Sequence, residues 1–403
     1  MENHKKLTVT MDTIRIFITN FFVSLTFLLI STTVSATDVG TPNGTFALSP
    51  TGGAVYSVAI ETPKGINGMQ PSLAVSYNSQ SGHGIAGYGF NISGISVITR
   101  GKKSIYYDNQ VTGINYTNDD AFYLDGKRLL LQSGVSGYEG AVYTPEGEPF
   151  TEVTLHTNTI QSSPCIWFEV KSDDGMTYQY GYASNQSMLI YKNGTYFQNA
   201  WYVGRAENQL GNYITYTYTA YGNSVYPYQI TYGKNINGDG SLNYIYFTYE
   251  DQTYSIPSYH INGCTVTLPK RLKAINTTNG VSTYRSYNFS YSNMTLGNSD
   301  FSVLSSITEK NGDDEALNPI TFSWQSTSGC AQSVSEPSVP LVQSYSFATI
   351  HSRSFFATDL NGDGFSEIIQ ISPMTIATEN GNTLSTYLYI NTTDYSGSTN
   401  TLS

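Results

Sequence analysis

Between Ala47 and Arg100 short runs of alternating apolar residues are separated by glycine-rich joints. Val55, Val58 and Ile60, then Leu73, Val75 and Tyr77, carry the two-residue period of half-buried strands, and the joints are too short for anything but tight turns. Pro63 fixes φ and Gly65 is expected to take φ above zero, which turns the chain sharply between strands. Gly82, Gly84, Gly87 and Gly89 are expected to let backbone pass close to backbone while Tyr88 and Phe90 pack to either side. The stretch thus predicts a rigid, aromatic-stapled corner without a catalytic constellation.

Composition extends this reading to the whole chain. Tyr (34), Phe (18) and Gly (36) are plentiful, and only 12% of the 403 residues are charged. That mix favours strands and turns over helices, so the fold class is all-β. The formal charge of −11 and the absence of a long basic run argue against nucleic acid and against a polybasic membrane-surface mode.

The amino terminus places Lys5, Lys6 and Arg15 before an apolar core at Phe21 to Ile30 and then Val34-Ser35-Ala36. This order predicts a secretory signal peptide over residues 1–36, cleaved after Ala36, whether translation starts at Met1 or Met11. The alternative, a retained membrane anchor, needs a span of ~20 apolar residues, and this core is short for one. No later window approaches a transmembrane helix. Cys165, Cys264 and Cys330 are odd in number and form no CxxC pair. They leave one disulfide plus a free thiol open, but read more simply as small buried residues. Nine Asn-x-Ser/Thr sites, Asn43 and Asn391 among them, matter only where the source glycosylates Asn.

The order of elements carries a family resemblance. Pro63-Lys64-Gly65, Gly68-x-Gln70-Pro71, Leu73-x-Val75-x-Tyr77, Gly82-x-Gly84-x-x-Gly87-x-Gly89-Phe90 and Ile98-Thr99-Arg100 follow one another. Together they resemble the start of the SpvB-type domain, which opens the virulence-plasmid B toxin and the B subunits of insecticidal toxin complexes. Phe90 stands where that family usually has Trp. Further on, Asp125-Gly126 and Asp174-Gly175 sit in strand–turn–strand contexts similar to the family's hairpins, and Gly211-Asn212-Tyr213 opens a strand similar to its tyrosine cadence. There Tyr213, Thr215 and Thr217 face opposite to Ile214, Tyr216 and Tyr218. A tyrosine stripe of this kind reads as inter-strand packing before it reads as a carbohydrate platform.

The domain expected from the resemblance runs over 37–330, followed by a Ser/Pro-rich linker at 331–344. Residues 345–403 then resemble an FG-GAP/VCBS-type unit of a β-propeller. Only one such copy precedes Ser403, so an incomplete blade is expected, from a chain that stops inside a longer protein. Within it, Asp359, Asn361 and Asp363 place oxygen ligands at alternate positions, with the Phe365 carbonyl and Glu367 completing a Ca²⁺ loop. Gln370 at the twelfth position separates it from an EF-hand. Asn235 to Gly240 imitates the pattern without a following acid and reads as a hairpin loop.

Other motifs fall away on inspection. Gly82-His83-Gly84-Ile85-Ala86-Gly87 satisfies GxGxxG, but no helix pattern follows it, so no dinucleotide site is expected. ADP-ribosyltransferases resemble one another in an Arg, a Ser-Thr-Ser and a Glu-x-Glu in that order. Here Glu146-Gly147-Glu148 precedes Ser326-Thr327-Ser328, the reverse. His83, His156 and His260 have no metal-binding spacing and are expected on surfaces or turns. The expected function is therefore a secreted, non-enzymatic scaffold. By the resemblance, it encloses a toxin cargo and docks on a translocation subunit. The alternative is an extracellular adhesion module stiffened by Ca²⁺. Less expected is a part of an ADP-ribosylating toxin whose catalytic domain lies elsewhere.

Overall fold

The computed structural model describes residues 40–160, 163–296 and 299–324, together with strand segments at 349–350, 354–358, 367–377, 384–393 and 399–400. The strands follow one another as β1 (Gly44–Leu48), β2 (Ala54–Ile60), β3 (Leu73–Asn78), β4 (His83–Gly84), β5 (Gly87–Tyr88), β6 (Phe90–Ser93), β7 (Val97–Gly101) and β8 (Ala121–Leu124). Then come β9 (Lys127–Ser133), β10 (Val142–Pro145), β11 (Glu152–Ile160), β12 (Ser163–Lys171), β13 (Thr177–Tyr180), β14 (Ser187–Lys192), β15 (Thr195–Glu207) and β16 (Asn212–Tyr221). The last of the main body are β17 (Ser224–Asn235), β18 (Gly240–Asp251), β19 (Ser258–Ile261), β20 (Cys264–Thr267), β21 (Lys270–Asn279), β22 (Ser282–Leu296), β23 (Ser299–Asn311) and β24 (Ile320–Thr321). One turn of α-helix, α1 (Ile105–Asp108), interrupts them. The all-β expectation holds for the described residues.

Antiparallel hairpins join β7 to β13 in sequence, and β15 pairs both β7 and β13, which closes these eight strands into a barrel. The turns explain the regularity. Asp125 and Gly126 take φ of 48° and 82° between β8 and β9, the left-handed pair that a two-residue hairpin demands. Inward positions are apolar and large: Ile98, Phe122, Tyr143, Leu155, Phe168 and Trp201 are buried. Phe122, Phe168 and Trp201 form a triangle of edge-to-face rings at 5.1–5.7 Å, so side chains fill the barrel as expected for eight strands.

From β15 the sheet continues outward through β16, β17, β18, β21, β22, β23 and β24. Its two faces differ. Ile214, Tyr216, Tyr218, Ile230, Ile245, Phe247 and Tyr287 are buried in the core, with the Tyr216/Tyr218 face inward as the stripe predicted. The other face carries Thr217, Gln229, Tyr246, Asn276 and Ser286 in one cross-strand row. Its hydrogen bonds are largely spent inside the sheet. Thr217 Oγ1 donates to the Gln229 carbonyl (3.1 Å), and Gln229 Nε2 donates to Thr231 Oγ1 (3.1 Å).

Asn235 to Gly240 is a hairpin loop between β17 and β18, as its sequence predicted. Asn235 Oδ1 accepts from the amides of Asn237 and Asp239. Residues 349–400 contribute strands at Ser354–Thr358, Glu367–Ala377 and Leu384–Thr393, paired antiparallel in that order. Asp359, Asn361, Asp363 and Phe365 lie outside the described residues, as does the Glu367 side chain. So do residues 1–39 and Cys330. No helix among the described residues is long and apolar enough to cross a membrane.

Candidate functional site

The stretch that most constrains the sequence builds an arch. β1, β2, β3 and β6 form a four-stranded sheet, and the chain between β3 and β6 folds back as the β4–β5 hairpin. Gly87 and Gly89 take φ of 104° and 74°, conformations that favour glycine. Gly84 has a different reason, because a Cβ there would overlap the Phe90 carbonyl oxygen. Two expectations are corrected. Gly65 has φ of −82°, and the turn's left-handed positions are Asn67 and Gly68; Gly65 is needed because a Cβ would overlap the Met69 carbonyl. Gly82 faces open space and is no packing device.

Phe90 is the plug that the sequence foretold. It is 1% exposed and meets Tyr77 at 5.0 Å, Phe322 at 4.9 Å and Trp324 at 6.3 Å. Trp324 Nε1 also donates to the Leu304 carbonyl (2.6 Å), so the arch is locked to β23. Tyr88 points the other way, against His83 and Phe301.

His83 sits in the tight β4–β5 hairpin, half-buried, within the surface-or-turn placement expected of it, but its ring is covered. Its ring sits 5.1 Å from both Tyr88 and Phe301. Both ring nitrogens are sealed from solvent without a hydrogen-bond partner among the described residues. Burial pulls its pKa from 6.5 down to about 4. The folded value lies below the unfolded one, so the contribution of the neutral ring is fully present above pH 6.5. It falls away as pH drops toward 4. His83→Phe is expected to flatten the fall in melting temperature between pH 7 and pH 4.5; an unchanged slope would place the acid sensitivity elsewhere.

His156 stacks on Trp167 at 4.3 Å, with Nδ1 3.2 Å from Glu139. His260 contacts Thr265 in the β19–β20 ribbon. Cys165 and Cys264 are free and half-buried, which corrects the buried placement read from sequence. Among the described residues no group of three or more acid, His and Cys side chains could hold a metal.

Beside the arch lies a cavity of about 330 Å³. His83, Gly84, Ile85, Asn91 and Ile92 form one wall. Met188, Tyr202, Val225, Pro227, Tyr259 and Leu268, from β14, β15, β17 and around the β19–β20 ribbon, form the others. The lining is polar and apolar in nearly equal measure and holds no nucleophile paired with a base.

Arg100, on β7, is one of the barrel's buried charges. Its side chain is 9% exposed and pairs with Asp120 (3.1 Å), whose side chain is 2% exposed. Nε donates to the Gln198 carbonyl (2.8 Å) and Nη1 to the Thr117 carbonyl (2.7 Å). The guanidinium lies over Phe122 and Trp201 at 5.4 and 5.5 Å. Burial lowers its pKa, and Asp120 opposes that shift. Asp120 Oδ1 accepts from the Asn115 amide (2.9 Å) and so ties the long β7–β8 loop to the barrel. Sequence reasoning singled out Arg100 but not Asp120, which sits twenty residues away in an unremarkable Asn/Asp run. What these groups accomplish is positional: Phe90 and Trp324 pin the arch to β23, and the ion pair holds the β7–β8 loop against the barrel.

Comparison with known proteins follows that geometry. Residues 48–239 match the sequence family described as SpvB, Salmonella virulence plasmid 65kDa B protein. No curated protein sequence matches the chain. Among solved structures, that of TcdB2-TccC3 is similar with a TM-score of 0.55 at 13% identity, over 89% of this chain and 21% of that one. The Photorhabdus luminescens Tc holotoxin pore, with mutation TccC3-D651A, gives 0.55 and 13% over 88% and 20%. TcdB2-TccC3 without its hypervariable C-terminal region gives 0.55 and 14% over 87% and 20%. This chain therefore spans about a fifth of the solved chains it resembles. Its residues 48–239 carry the SpvB family match, on a fold shared with the TcdB2-TccC3 structures.

Proposed function

We propose that this chain is the front part of a secreted toxin-complex shell, a scaffold that encloses a toxin cargo and docks on a translocation subunit. The observation that carries the reading is the SpvB match at 48–239 together with a TcdB2-TccC3-like fold over 89% of the chain. The geometry agrees with it. The arch spends its external polar groups on the extended sheet, through Tyr232, Asn243 and Tyr287, and one row of that sheet's other face is uncharged from Thr217 to Ser286. Along that row, up to Lys310 at its end, an adjoining polypeptide meets no charge. In this reading residues 1–36 are a signal peptide, 37–330 the SpvB-type domain, 331–344 a linker and 345–403 an incomplete propeller blade. No catalytic residue is assigned.

The test is to express the chain with the sequence downstream of Ser403 and the toxin partner, then digest the assembly with a broad protease. A cargo segment that survives while the same segment alone is degraded supports the shell. Equal digestion would sink it, and binding to cell surfaces by this chain alone would favour adhesion.

The proposal extends to a Ca²⁺ site at Asp359, Asn361, Asp363, Phe365 and Glu367. In the same full-length protein, millimolar Ca²⁺ is expected to raise the melting temperature, by an amount corresponding to about 2.7 kcal/mol at a hundredfold excess over Kd. Asp363→Ala is expected to abolish the shift; a shift retained in that variant refutes the site.

A further inference from the structure

Where β13 closes the barrel onto β15, a second concavity of about 220 Å³ opens on the outer surface. The register sets Thr177 opposite Glu207 and Gln179 opposite Arg205, so these four side chains share one outward face. Two turns rise beside them. One holds Gly175, whose φ of 80° keeps it free of a side chain just where Gln209 from the other turn approaches.

Charges in this cleft cancel. Arg205 donates through Nε (2.9 Å) and Nη2 (2.7 Å) to a single carboxylate oxygen, Glu207 Oε2. Tyr213 supports the guanidinium plane from 4.1 Å. That arrangement leaves Arg205 Nη1 and Glu207 Oε1 without partners among the described residues, one purely a donor and the other purely an acceptor. The amides of Gln179 and Gln209 add a donor and an acceptor each, likewise without partners among the described residues.

Each class of ligand meets this lining differently. An anion is repelled by Glu207 and a cation by Arg205, while an apolar group would strip water from every group present without replacing its hydrogen bonds. A hydroxyl donates to a carboxylate and accepts from a guanidinium or an amide at once. We propose that this cleft binds a neutral sugar, whose vicinal hydroxyls bridge Glu207 Oε1, Arg205 Nη1 and the two glutamine amides. This site is independent of the shell reading, since the cleft lies on the barrel's outer surface and uses none of the arch residues.

The experiment titrates the full 403-residue chain with glucose, galactose, mannose and N-acetylglucosamine, read by calorimetry and by saturation-transfer NMR. At least one sugar is expected to bind with a Kd near the millimolar range. Gln179→Ala and Glu207→Gln are each expected to weaken it about tenfold, with melting temperatures near that of the parent. Gln209→Ala, on an exposed turn, serves should either of those fail to fold. The proposal is overturned if no sugar binds up to about 50 mM, if the variants bind as the parent does, or if inorganic phosphate or glutamate binds where the sugars do not.

Discussion

Arg100→Met is expected to destabilise the chain by about 3–5 kcal/mol, the cost of leaving a buried carboxylate without its partner. Asp120 is almost wholly enclosed, and after the substitution its Oδ2 faces no cation. The Thr117 and Gln198 carbonyls each lose the guanidinium as a donor in the same step, with the Asp120 amide still donating to Thr117. Chemical denaturation followed by near-ultraviolet circular dichroism measures this directly. Met fills most of the guanidinium's volume over Phe122 and Trp201, so the loss reports the charge rather than a cavity. The double variant Arg100→Met/Asp120→Asn should recover a large part of it, because neutral Asn needs no counter-ion. If the single variant lost less than about 1 kcal/mol, the pair would be behaving as a solvated one, and the account of it as a buried tie for the β7–β8 loop would be wrong.

Trp201→Ala is expected to cost about 3–5 kcal/mol as well, by a different mechanism. Trp201 is 0% exposed and fills the barrel between Phe122 and Phe168. Its indole Nε1 donates to the Ile166 carbonyl (2.8 Å). Truncation removes the rings' contacts, opens a cavity and leaves that carbonyl with Gln198 Nε2 (3.1 Å) as its remaining side-chain donor. Trp201→Phe should restore much of the packing without the indole's hydrogen bond, and so should fall between the two. Because Arg100 lies over the same indole, the losses from Arg100→Met and Trp201→Ala are expected to be non-additive. Strict additivity would show that the guanidinium draws nothing from the ring.

These two residues also show what the sequence could and could not reveal. Phe90 and the Tyr216/Tyr218 stripe were legible because side-chain period and glycine spacing are local properties, written within a few residues of each other. Hairpins such as Asp125-Gly126 were legible for the same reason. Closure of the barrel was not, since it depends on β13 meeting β15 across the intervening β14 hairpin, and nothing in Thr177–Tyr180 names its partner. Asp120 was hidden likewise, because its pairing with Arg100 is made by the fold. Gly65 and Gly82 were misread because a glycine in sequence does not say whether it serves φ, close approach or neither. His83 was read rightly as a turn residue, but the covering of its ring by Phe301, more than two hundred positions on, is a tertiary contact that no local spacing announces.

The polar cleft could not have been anticipated from spacing at all. Gln179, Arg205, Glu207 and Gln209 come from β13, β15 and the turn after β15, and only the closing register sets them on one face.

The central claim is that β15 joins a filled barrel to a sheet that forms part of a shell wall. Electron cryo-microscopy of the complete protein, purified with its toxin partner, tests it most directly. The account predicts a hollow β-structured particle in which β16 to β23 form a continuous segment of the wall, the arch is pinned to β23 by Phe90 and Trp324, and the enclosed volume contains cargo density. A particle without an enclosed volume, or one in which that sheet packs both faces against folded domains, would contradict it.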